Sequence, residues 1–371
     1  MSVTRLNTDD RQLKTKDMKT IKVKLGARSY NIFIASGLLK ELGRLLGNYG
    51  NFTKVLILTD KNIEKFYGPI VAENLSTYKP KVVALEPGEG QKNLSTVESL
   101  YHKFLEHGID RKSLIVAVGG GVVGDIAGYA AATFMRGIPY VQVPTTMVAQ
   151  VDSSIGGKTA VNLPEGKNLV GCFYQPRAVF IDTETLKTLP VGEVTEGMVE
   201  VIKYGVIRDP SLFSFLEEHL AGVLRLEQWH IERLITSCCK IKAWVVSKDE
   251  REETGFRSIL NYGHTLGHAL EALGGYKGYR HGQAVAMGMI LATKIAMRMG
   301  LAGEYLLGQQ KGLLSRVGAP TDYNIEEVKQ AFELLYRDKK AIGGRLRFVL
   351  PVKIGKVILR DVSPEVIKEI L

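Results

Sequence analysis

Three of the seven histidines of this chain, His264, His268 and His281, lie close together in the sequence. His264 and His268 are four positions apart, so on a helix their side chains share one face. Two imidazoles at this spacing can bind a divalent metal, and His281 is near enough in sequence to return to the same place. The alternative is a helix whose two histidines only form hydrogen bonds. The glycines before the histidines and the charged groups upstream favour a metal site.

A second candidate group lies upstream, in a helical pattern that contains Glu196, Glu200 and Lys203. Most charges of this kind lie on a solvated helix surface. The run from Gly197 to Gly205 is otherwise apolar, however, so an acid and a lysine inside it must pair or bind something. A carboxylate, two histidines and an open position form the ligand set of a catalytic zinc site.

A glycine-rich pattern, Gly119 to Asp125, follows a strand-like run and opens a helix. Glycine there lets backbone amides approach a pyrophosphate at the helix N-terminus. The pattern differs from the usual Rossmann fingerprint, because it is not in the first strand–helix turn and no acid follows about 20 positions later. We interpret it, together with polar residues after other strands, as a dinucleotide site of divergent topology. The alternative is a tight glycine turn that serves packing.

The polar, glycine-rich segment 152–168 is predicted to be a long functional loop between strands. Its Gly-Gly-Lys-Thr run is similar to a phosphate loop, but that motif requires a glycine where Asp152 stands, which argues against nucleotide hydrolysis. Lys158 and Lys167 are candidates to contact a phosphate, and Arg136 is a further candidate cation. The alternative is that these are surface charges.

Composition excludes several classes of protein. The 371 residues suggest two domains, and 45% hydrophobic with 24% charged residues is typical of soluble globular proteins. Neither a membrane-spanning apolar run nor a hydrophobic signal core is visible. Three cysteines without a disulfide pattern indicate the cytoplasm. The net charge of +10 is spread along the chain without a nucleic-acid motif, so we expect an anionic small substrate and no nucleic-acid or membrane partner.

The chain changes character near residue 190. Residues 1–190 are predicted to form an NAD-binding α/β domain with a parallel, Rossmann-like sheet, because short buried runs alternate with helical patterns. Residues 191–371 are predicted to form a mainly α-helical metal- and substrate-binding domain, with a cleft between the two. The predicted strands are 21–25, 30–34, 55–59, 82–85, 114–118, 140–143, 178–181 and 346–350. The later helices are predicted at 193–207, 210–225, 227–250, 260–273, 282–300, 303–316 and 325–337.

Taken together, the motifs resemble those of the 3-dehydroquinate synthases, in the sugar-phosphate cyclase family. They are GGGVVGD, FMRG, QVDSSIGGKTAVN, GMVEVIKYG, FRSILNYGHTLGHALE, HGQAVAMG and RDKK. The resemblance implies conversion of 3-deoxy-D-arabino-heptulosonate 7-phosphate to 3-dehydroquinate and phosphate, in aromatic amino acid biosynthesis. The implied steps are transient oxidation by NAD, phosphate elimination, re-reduction, ring opening and an intramolecular aldol closure.

The resemblance also implies roles for individual residues. Glu200, His264 and His281 would bind the metal, Zn²⁺ or Co²⁺, which overrules the pairing of His264 with His268 that spacing alone suggests. The implied catalytic residues are Lys158, Lys203, Lys242, Arg257, Asn261 and His268. The implied substrate-binding residues are Arg136, Asp152, Lys167, Asn168 and one of the two lysines Lys339 and Lys340. The implied NAD-binding residues are Asp60, Asn62, Glu89, Lys92, Gly120, Gly121, Val122, Val123, Gly124, Asp125, Thr145, Thr146, Lys158, Lys167, Thr185, Leu186, Lys187 and Thr188.

The resemblance further implies a homodimer in which Arg136 reaches the neighbouring site. Gln283 departs from the family, which often has glutamate there, and we expect only an indirect effect. Another sugar-phosphate cyclase, making a valiolone or a deoxy-inosose, is a rival; Asn261, His268 and the RDKK lysines favour the dehydroquinate form. A metal- and NAD-dependent polyol or glycerol-phosphate dehydrogenase would not need so many anion-binding cations. A non-catalytic NAD-binding protein would not need Glu200 together with the histidines.

Overall fold

The computed structural model describes residues 18–275, 278–339 and 346–371. Its strands are β1 Lys19–Val23, β2 Tyr30–Ala35, β3 Val55–Asp60, β4 Lys81–Leu85, β5 Leu114–Gly119, β6 Tyr140–Pro144, β7 Lys158–Leu163, β8 Gly166–Phe173, β9 Ala178–Asp182, β10 Leu346–Lys353 and β11 Lys356–Val362. Its α-helices are α1 Leu42–Leu46, α2 Lys61–Asn74, α3 Leu94–Glu106, α4 Gly121–Thr133, α5 Val191–Ile207, α6 Pro210–Leu224, α7 Gln228–Lys248, α8 His264–Leu273, α9 His281–Arg298, α10 Glu304–Arg316, α11 Ile325–Lys339 and α12 Pro364–Lys368.

A seven-stranded sheet forms the first part of the molecule, in the order β1-β2-β9-β6-β5-β3-β4. β1 and β2 form the predicted antiparallel hairpin, with Ile21 opposite Ile32. All the other neighbours in this sheet run parallel. The predicted fold class, a parallel α/β sheet followed by a mainly helical region, is therefore confirmed.

The central strands are buried on both faces, which is why they read as continuous apolar runs. Leu56 and Leu58 of β3 pack on one side, in the cluster that contains residues of α3 and α4. The alternate residues Val55 and Ile57 pack on the other side, with residues of α1 and α2. Helices on both faces leave the carboxyl ends of the parallel strands as the open edge of the sheet, where ligands bind in such folds.

The helical region shares one continuous core with β1, β2 and β9. The division into domains at residue 190 stays a prediction, although α5 does begin directly after Pro190. The helices lie where the sequence predicts them, apart from small shifts at their ends. The predicted helix 260–273 begins only at His264, because Phe256–Asn261 forms a 3₁₀ turn and Gly263 is left-handed, with φ of 80°. No described helix is long and apolar enough to cross a membrane.

The prediction of a long loop at 152–168 is wrong. The segment continues a short π-helical turn, Ala149–Ser153, and then enters the antiparallel hairpin of β7 and β8. Thr159 and Val161 alternate as buried residues with more exposed neighbours, as expected for a half-covered strand. This hairpin packs on α4 and carries Lys158 and Lys167 at defined positions.

Candidate active site

Three helices converge on a cluster of carboxylate and imidazole groups. Glu200 lies in the middle of α5 and is buried, whereas His264 and His281 are the first residues of α8 and α9. The Nε2 atoms of both histidines lie 3.4 Å from Glu200 Oε1. Ligand atoms of these three residues all lie within 4.8 Å of one another, which is close enough to hold one metal ion. The structure therefore brings the three predicted metal ligands together.

Close packing of α8 against α9 places the two histidines side by side. A Cβ on Gly288 would lie 1.9 Å from the carbonyl oxygen of Gly263, so no side chain fits there. Gly267 approaches the backbone of Ala284 in the same way, with 3.3 Å available for a Cβ. The glycines of this motif are therefore explained by helix contact as well as by the turn before His264.

Each histidine is oriented by a contact to its other ring nitrogen. His264 Nδ1 lies 3.1 Å from the carbonyl oxygen of Tyr262, and His281 Nδ1 lies 3.3 Å from Glu271 Oε2. Both acceptors favour a proton on Nδ1, which leaves the Nε2 lone pairs directed towards Glu200. Contacts of this kind fix the tautomer of metal-binding histidines. His268 lies further along α8, with its ring centroid 5.3 Å from that of His264, and is outside the group that contains Glu200.

The electrostatics of the cluster fit a bound cation. Burial alone would raise the pKa of Glu200, but Lys203 and the two imidazoles outweigh it and hold the pKa well below its usual range. Neither oxygen of Glu200 accepts a well-directed hydrogen bond from any residue that the structure describes, although Lys203 Nζ is in ion-pair contact with Oε2. Burial lowers the pKa of His264, which keeps it in the neutral form that binds metals. Burial also opposes protonation of His281, but its contacts with the carboxylates of Glu200 and Glu271 raise its pKa to about 10. A divalent cation at this position would displace that proton.

A cleft of about 1190 Å³ runs from the open edge of the sheet to His268, Glu271 and His281. Most of the predicted NAD-binding residues line it: Asp60, Asn62, Glu89, Lys92, Gly120, Gly121, Val122, Val123, Asp125, Thr145, Thr146, Lys167 and Thr188. Gly124, Thr185, Leu186, Lys187 and Lys158 do not line it. Gly124 instead packs against Gln142, Leu186 is in the core, and Lys187 is exposed and paired with Glu184. The NAD contact stays a prediction for all of the residues named, and lining of the cleft supports it for those outside this group of five.

The glycine turn before α4 has the properties of a phosphate cradle. A Cβ on Gly120 would lie 3.0 Å from Thr146 Cγ2, and one on Gly121 would lie 3.1 Å from Ser153 Oγ, so side chains would close the space above the helix N-terminus. The hydroxyls of Thr145 and Ser153 are buried without a hydrogen-bond partner among the described residues, and both residues line the cleft. These residues fit a dinucleotide. Ser153 was not predicted from the sequence as a site residue, although it lies inside the motif QVDSSIGGKTAVN.

Asp152 is the centre of a group of predicted substrate residues. It accepts a hydrogen bond from Tyr204 Oη at 3.0 Å and lies 3.5 Å from Lys203 Nζ. Lys242 Nζ donates to its backbone oxygen at 2.8 Å and to its carboxylate. Arg257 lies close by, donating to the carbonyl oxygens of Gly156 and Glu250. Lys203, Lys242 and Arg257 are only 1%, 6% and 2% exposed, so none of them is a surface charge.

The other predicted substrate residues occupy different surroundings. Lys158 is half-exposed and pairs with Glu252 at 2.5 Å, while Lys167 lies 3.2 Å from Glu271 Oε1. Asn168 accepts from Lys92 at 2.5 Å and lines the cleft. Asn261 and Arg136 are exposed and do not line the cleft. Lys339 is the last residue of α11, and only its backbone is described. Lys340 lies outside the described residues.

Solved structures with this fold include two synthases and a dehydrogenase. A structure of 2-deoxy-scyllo-inosose synthase, complexed with carbaglucose-6-phosphate, NAD⁺ and Co²⁺, matches with a TM-score of 0.85 at 33% identity, covering 95% of this chain and 99% of that one. The 2-epi-5-epi-valiolone synthase of Streptomyces hygroscopicus shares the fold, with a TM-score of 0.82 at 24% identity over 92% of this chain and 95% of that one. An iron containing alcohol dehydrogenase shares it more distantly, with a TM-score of 0.64 at 16% identity over 92% and 96% of the two chains. Fold and site together define a protein of the sugar-phosphate cyclase class.

Sequence comparison is more specific. Models of the N-terminal and C-terminal regions of 3-dehydroquinate synthase match residues 82–196 and 197–341. Proteins named 3-dehydroquinate synthase from Geobacter metallireducens and Desulforamulus reducens are 49% and 48% identical to this chain, each covering 93% of it and 97% of the relative. The chain belongs to the 3-dehydroquinate synthase family, and the resemblance stated from its motifs is confirmed.

Proposed function

We propose that this protein converts 3-deoxy-D-arabino-heptulosonate 7-phosphate to 3-dehydroquinate and phosphate, with NAD and a divalent metal, as a phosphorus–oxygen lyase. The observation that carries the proposal is the position of Lys203, which contacts both Glu200 of the candidate metal group and Asp152 of the cation group. The candidate metal and substrate groups are thus contiguous, beside a cleft that fits a dinucleotide. Such contiguity is what the reaction requires, because one substrate must meet all three at once.

The side chains suit the two anionic groups of this substrate. Lys203, Lys242 and Arg257 offer cations in a largely buried setting, where charge-assisted hydrogen bonds to a carboxylate or phosphate are strong. Lys158 and Lys167 add cations on the β7–β8 hairpin. When bound, NAD supplies reversible hydride transfer, and the divalent metal withdraws electron density from the substrate oxygen.

His268 is the candidate for moving a proton. The His268 side chain is exposed towards the cleft. The surrounding protein nevertheless reduces its solvation, and this desolvation, together with the nearby His264, lowers the pKa of His268 to about 4. The imidazole is therefore neutral near pH 7; at this pKa it is a weak base, suited to accept a hydrogen bond from the substrate and to pass a proton on without retaining it. It lies beside the candidate metal group without belonging to it, as expected for a residue that serves the substrate and not the metal.

The test is a turnover experiment with the heptulosonate phosphate, Zn²⁺ or Co²⁺, and NAD at a concentration below that of the enzyme. A cyclase regenerates NAD, so we expect phosphate in many-fold excess over enzyme, only trace NADH, and 3-dehydroquinate identified by NMR. NADH formed in proportion to substrate, with the phosphate ester intact, would instead mean a dehydrogenase. Phosphate release with a different carbocycle would mean another cyclase; the relatives named 3-dehydroquinate synthase, at 48–49% identity, argue against that outcome.

We also propose a homodimer in the cytoplasm, in which Arg136 contributes to the neighbouring active site. The exposure of Arg136 and its left-handed backbone, with φ of 67°, support a role outside its own subunit. Sedimentation would give the mass. A mixture of an Arg136→Ala subunit with a Lys242→Met subunit should regain activity if the site is shared.

A further inference from the structure

Glu271 is buried in α8 and contacts two residues of different function. Its Oε2 lies 3.3 Å from His281 Nδ1, and its Oε1 lies 3.2 Å from Lys167 Nζ on strand β8. His281 is a candidate metal ligand through its other nitrogen, and Lys167 is a candidate phosphate-binding cation of the cleft. One carboxylate therefore lies between the proposed metal and a cation that faces the proposed phosphate groups.

We propose that Glu271 is a positioning residue that couples metal binding to phosphate binding in the cleft. This inference rests on the proposed function, because it requires a metal on His281. A carboxylate that accepts from Nδ1 orients the imidazole and increases the basicity of Nε2, and its loss typically costs about 10- to 100-fold in metal affinity.

The contact between Lys167 and Glu271 determines whether metal and phosphate strengthen or weaken each other's binding. While its ammonium pairs with Oε1, it draws negative charge from the carboxylate and weakens the bond that Oε2 accepts from His281. A phosphate group that draws Lys167 away leaves the charge of Glu271 to His281 alone. Metal and phosphate ligand should therefore strengthen each other's binding, and the two effects must be equal because the linkage is reciprocal.

The phosphate group has two possible sources, the dinucleotide or the sugar phosphate. The cleft reaches from Gly120 and Gly121 through Lys167 to Glu271, so either ligand can approach this lysine. Adding NAD alone or the sugar phosphate alone to the protein distinguishes the two sources, because no reaction occurs unless both are present.

The experiment measures the affinity of the metal-free protein for Co²⁺, from its visible absorption and by competition with a chelating dye. Glu271→Gln keeps the size of the side chain and removes its charge, and it should weaken Co²⁺ binding by about 10- to 100-fold. Activity lost at limiting metal should return with excess metal. Glu196→Gln is the matched control, because Glu196 is another acid of the cleft wall and its carboxylate pairs with Arg280. It should change the affinity much less.

The coupling is tested by repeating the titration with saturating NAD or with saturating sugar phosphate. Wild type should bind Co²⁺ at least about fivefold more tightly with one of them, which identifies the source. Lys167→Met should bind the metal more tightly than wild type without ligand and should lose the coupling. Thermal unfolding of each metal-free variant shows that it is folded, and the Lys167→Met result tests the idea even if Glu271→Gln does not fold.

Several results would overturn the inference. Equal Co²⁺ affinity in wild type and folded Glu271→Gln would remove the positioning role. Coupling that persists in Lys167→Met would mean that the ligand contacts the metal directly. Two bound metals in wild type and one in Glu271→Gln would make Glu271 itself a ligand, in the second group formed by His268, Glu271 and His281. If wild type binds no metal, it is the proposed function that fails.

Discussion

The substitution Lys242→Met tests whether Lys242 binds the substrate or only supports the fold. Lys242 Nζ donates to the backbone oxygen of Asp152 and to its carboxylate, and burial and the charge of Arg257 lower its pKa well below the usual value for lysine. Methionine fills similar space without charge. After the change, Asp152 keeps the hydrogen bond from Tyr204 and the ion pair with Lys203.

Activity and stability should respond to the change by different amounts. One charge-assisted hydrogen bond to the substrate is worth about 1.5–3 kcal/mol, so kcat/KM for the sugar phosphate should fall roughly 10- to 150-fold. The KM for NAD should change little. Removing one partner of a buried ion pair costs about 3–5 kcal/mol when the other charge is left unpaired; because Asp152 keeps Tyr204 and Lys203, the free energy of unfolding should fall by less than that.

The pH dependence gives a second readout. In the folded protein burial depresses the pKa of Lys242, Arg257 lowers it further, and Asp125 and Glu252 oppose the effect. The unfolded chain therefore binds more protons between the two pKa values, and stability contributed by this group rises with pH across that window, up to about 10.4. Below the folded pKa its destabilising contribution is fully present. Lys242→Met should remove this slope in urea unfolding measured from pH 7 to 10.

Lys240→Met is the control, because Lys240 lies on the same helix and is exposed. It should leave kcat/KM and the pH slope unchanged. If the two variants behave alike with the sugar phosphate, Lys242 is not part of the substrate site, and the assignment of the group around Asp152 is wrong.

Four further predictions concern the metal, the cations Lys158 and Arg257, and Gln283. Removing metal with a chelator should abolish activity while leaving the chain folded by circular dichroism, and Zn²⁺ or Co²⁺ should restore it; full activity without metal would contradict the site. Lys158→Ala should raise the KM for substrate with less than about 1 kcal/mol lost in urea unfolding, because its pair with Glu252 is half-exposed. Arg257→Ala should also raise the KM for substrate, and its free energy of unfolding should fall by about 1–3 kcal/mol for each of the two backbone oxygens left unsatisfied. Equal stability of Lys158→Ala and Arg257→Ala would refute this. Gln283→Glu should stabilise the protein by about 0.3–1 kcal/mol, because its side chain accepts from Arg280 N at the positive end of α9; a lower unfolding midpoint in urea would refute that.

The sheet was predictable because each central strand is buried on both faces and therefore appears as an unbroken apolar run, such as Val55 to Leu58. The β7–β8 hairpin was missed because only one of its faces is covered. Its polar residues and glycines look like a loop until the alternation of Thr159 and Val161 is noticed. A surface strand that carries functional lysines gives a weak periodic signal, and length and composition then favour the wrong interpretation.

The site shows a different limit. Spacing pairs His264 with His268, since both lie on α8, but the side chain that meets His264 at Glu200 comes from the start of α9. Sequence distance carries no information about how α9 docks, and here that docking depends on contacts such as Gly263 against Gly288. Nearness in sequence made His281 a candidate, but only the family resemblance chose it over His268 as the partner of His264.

Glu271 shows that a useful local signal was nevertheless present. His264, His268 and Glu271 stand at positions i, i+4 and i+7, so one helical face carries all three. A carboxylate on the same face as two candidate ligands is a natural partner for an imidazole, either as a ligand or as the acceptor that orients one. The helix period can thus identify the set of chemically active residues on α8. Which of them touches the metal, and which acts through His281, depends on the approach of α9 and of the β7–β8 hairpin, and these are long-range contacts that the helix period does not encode.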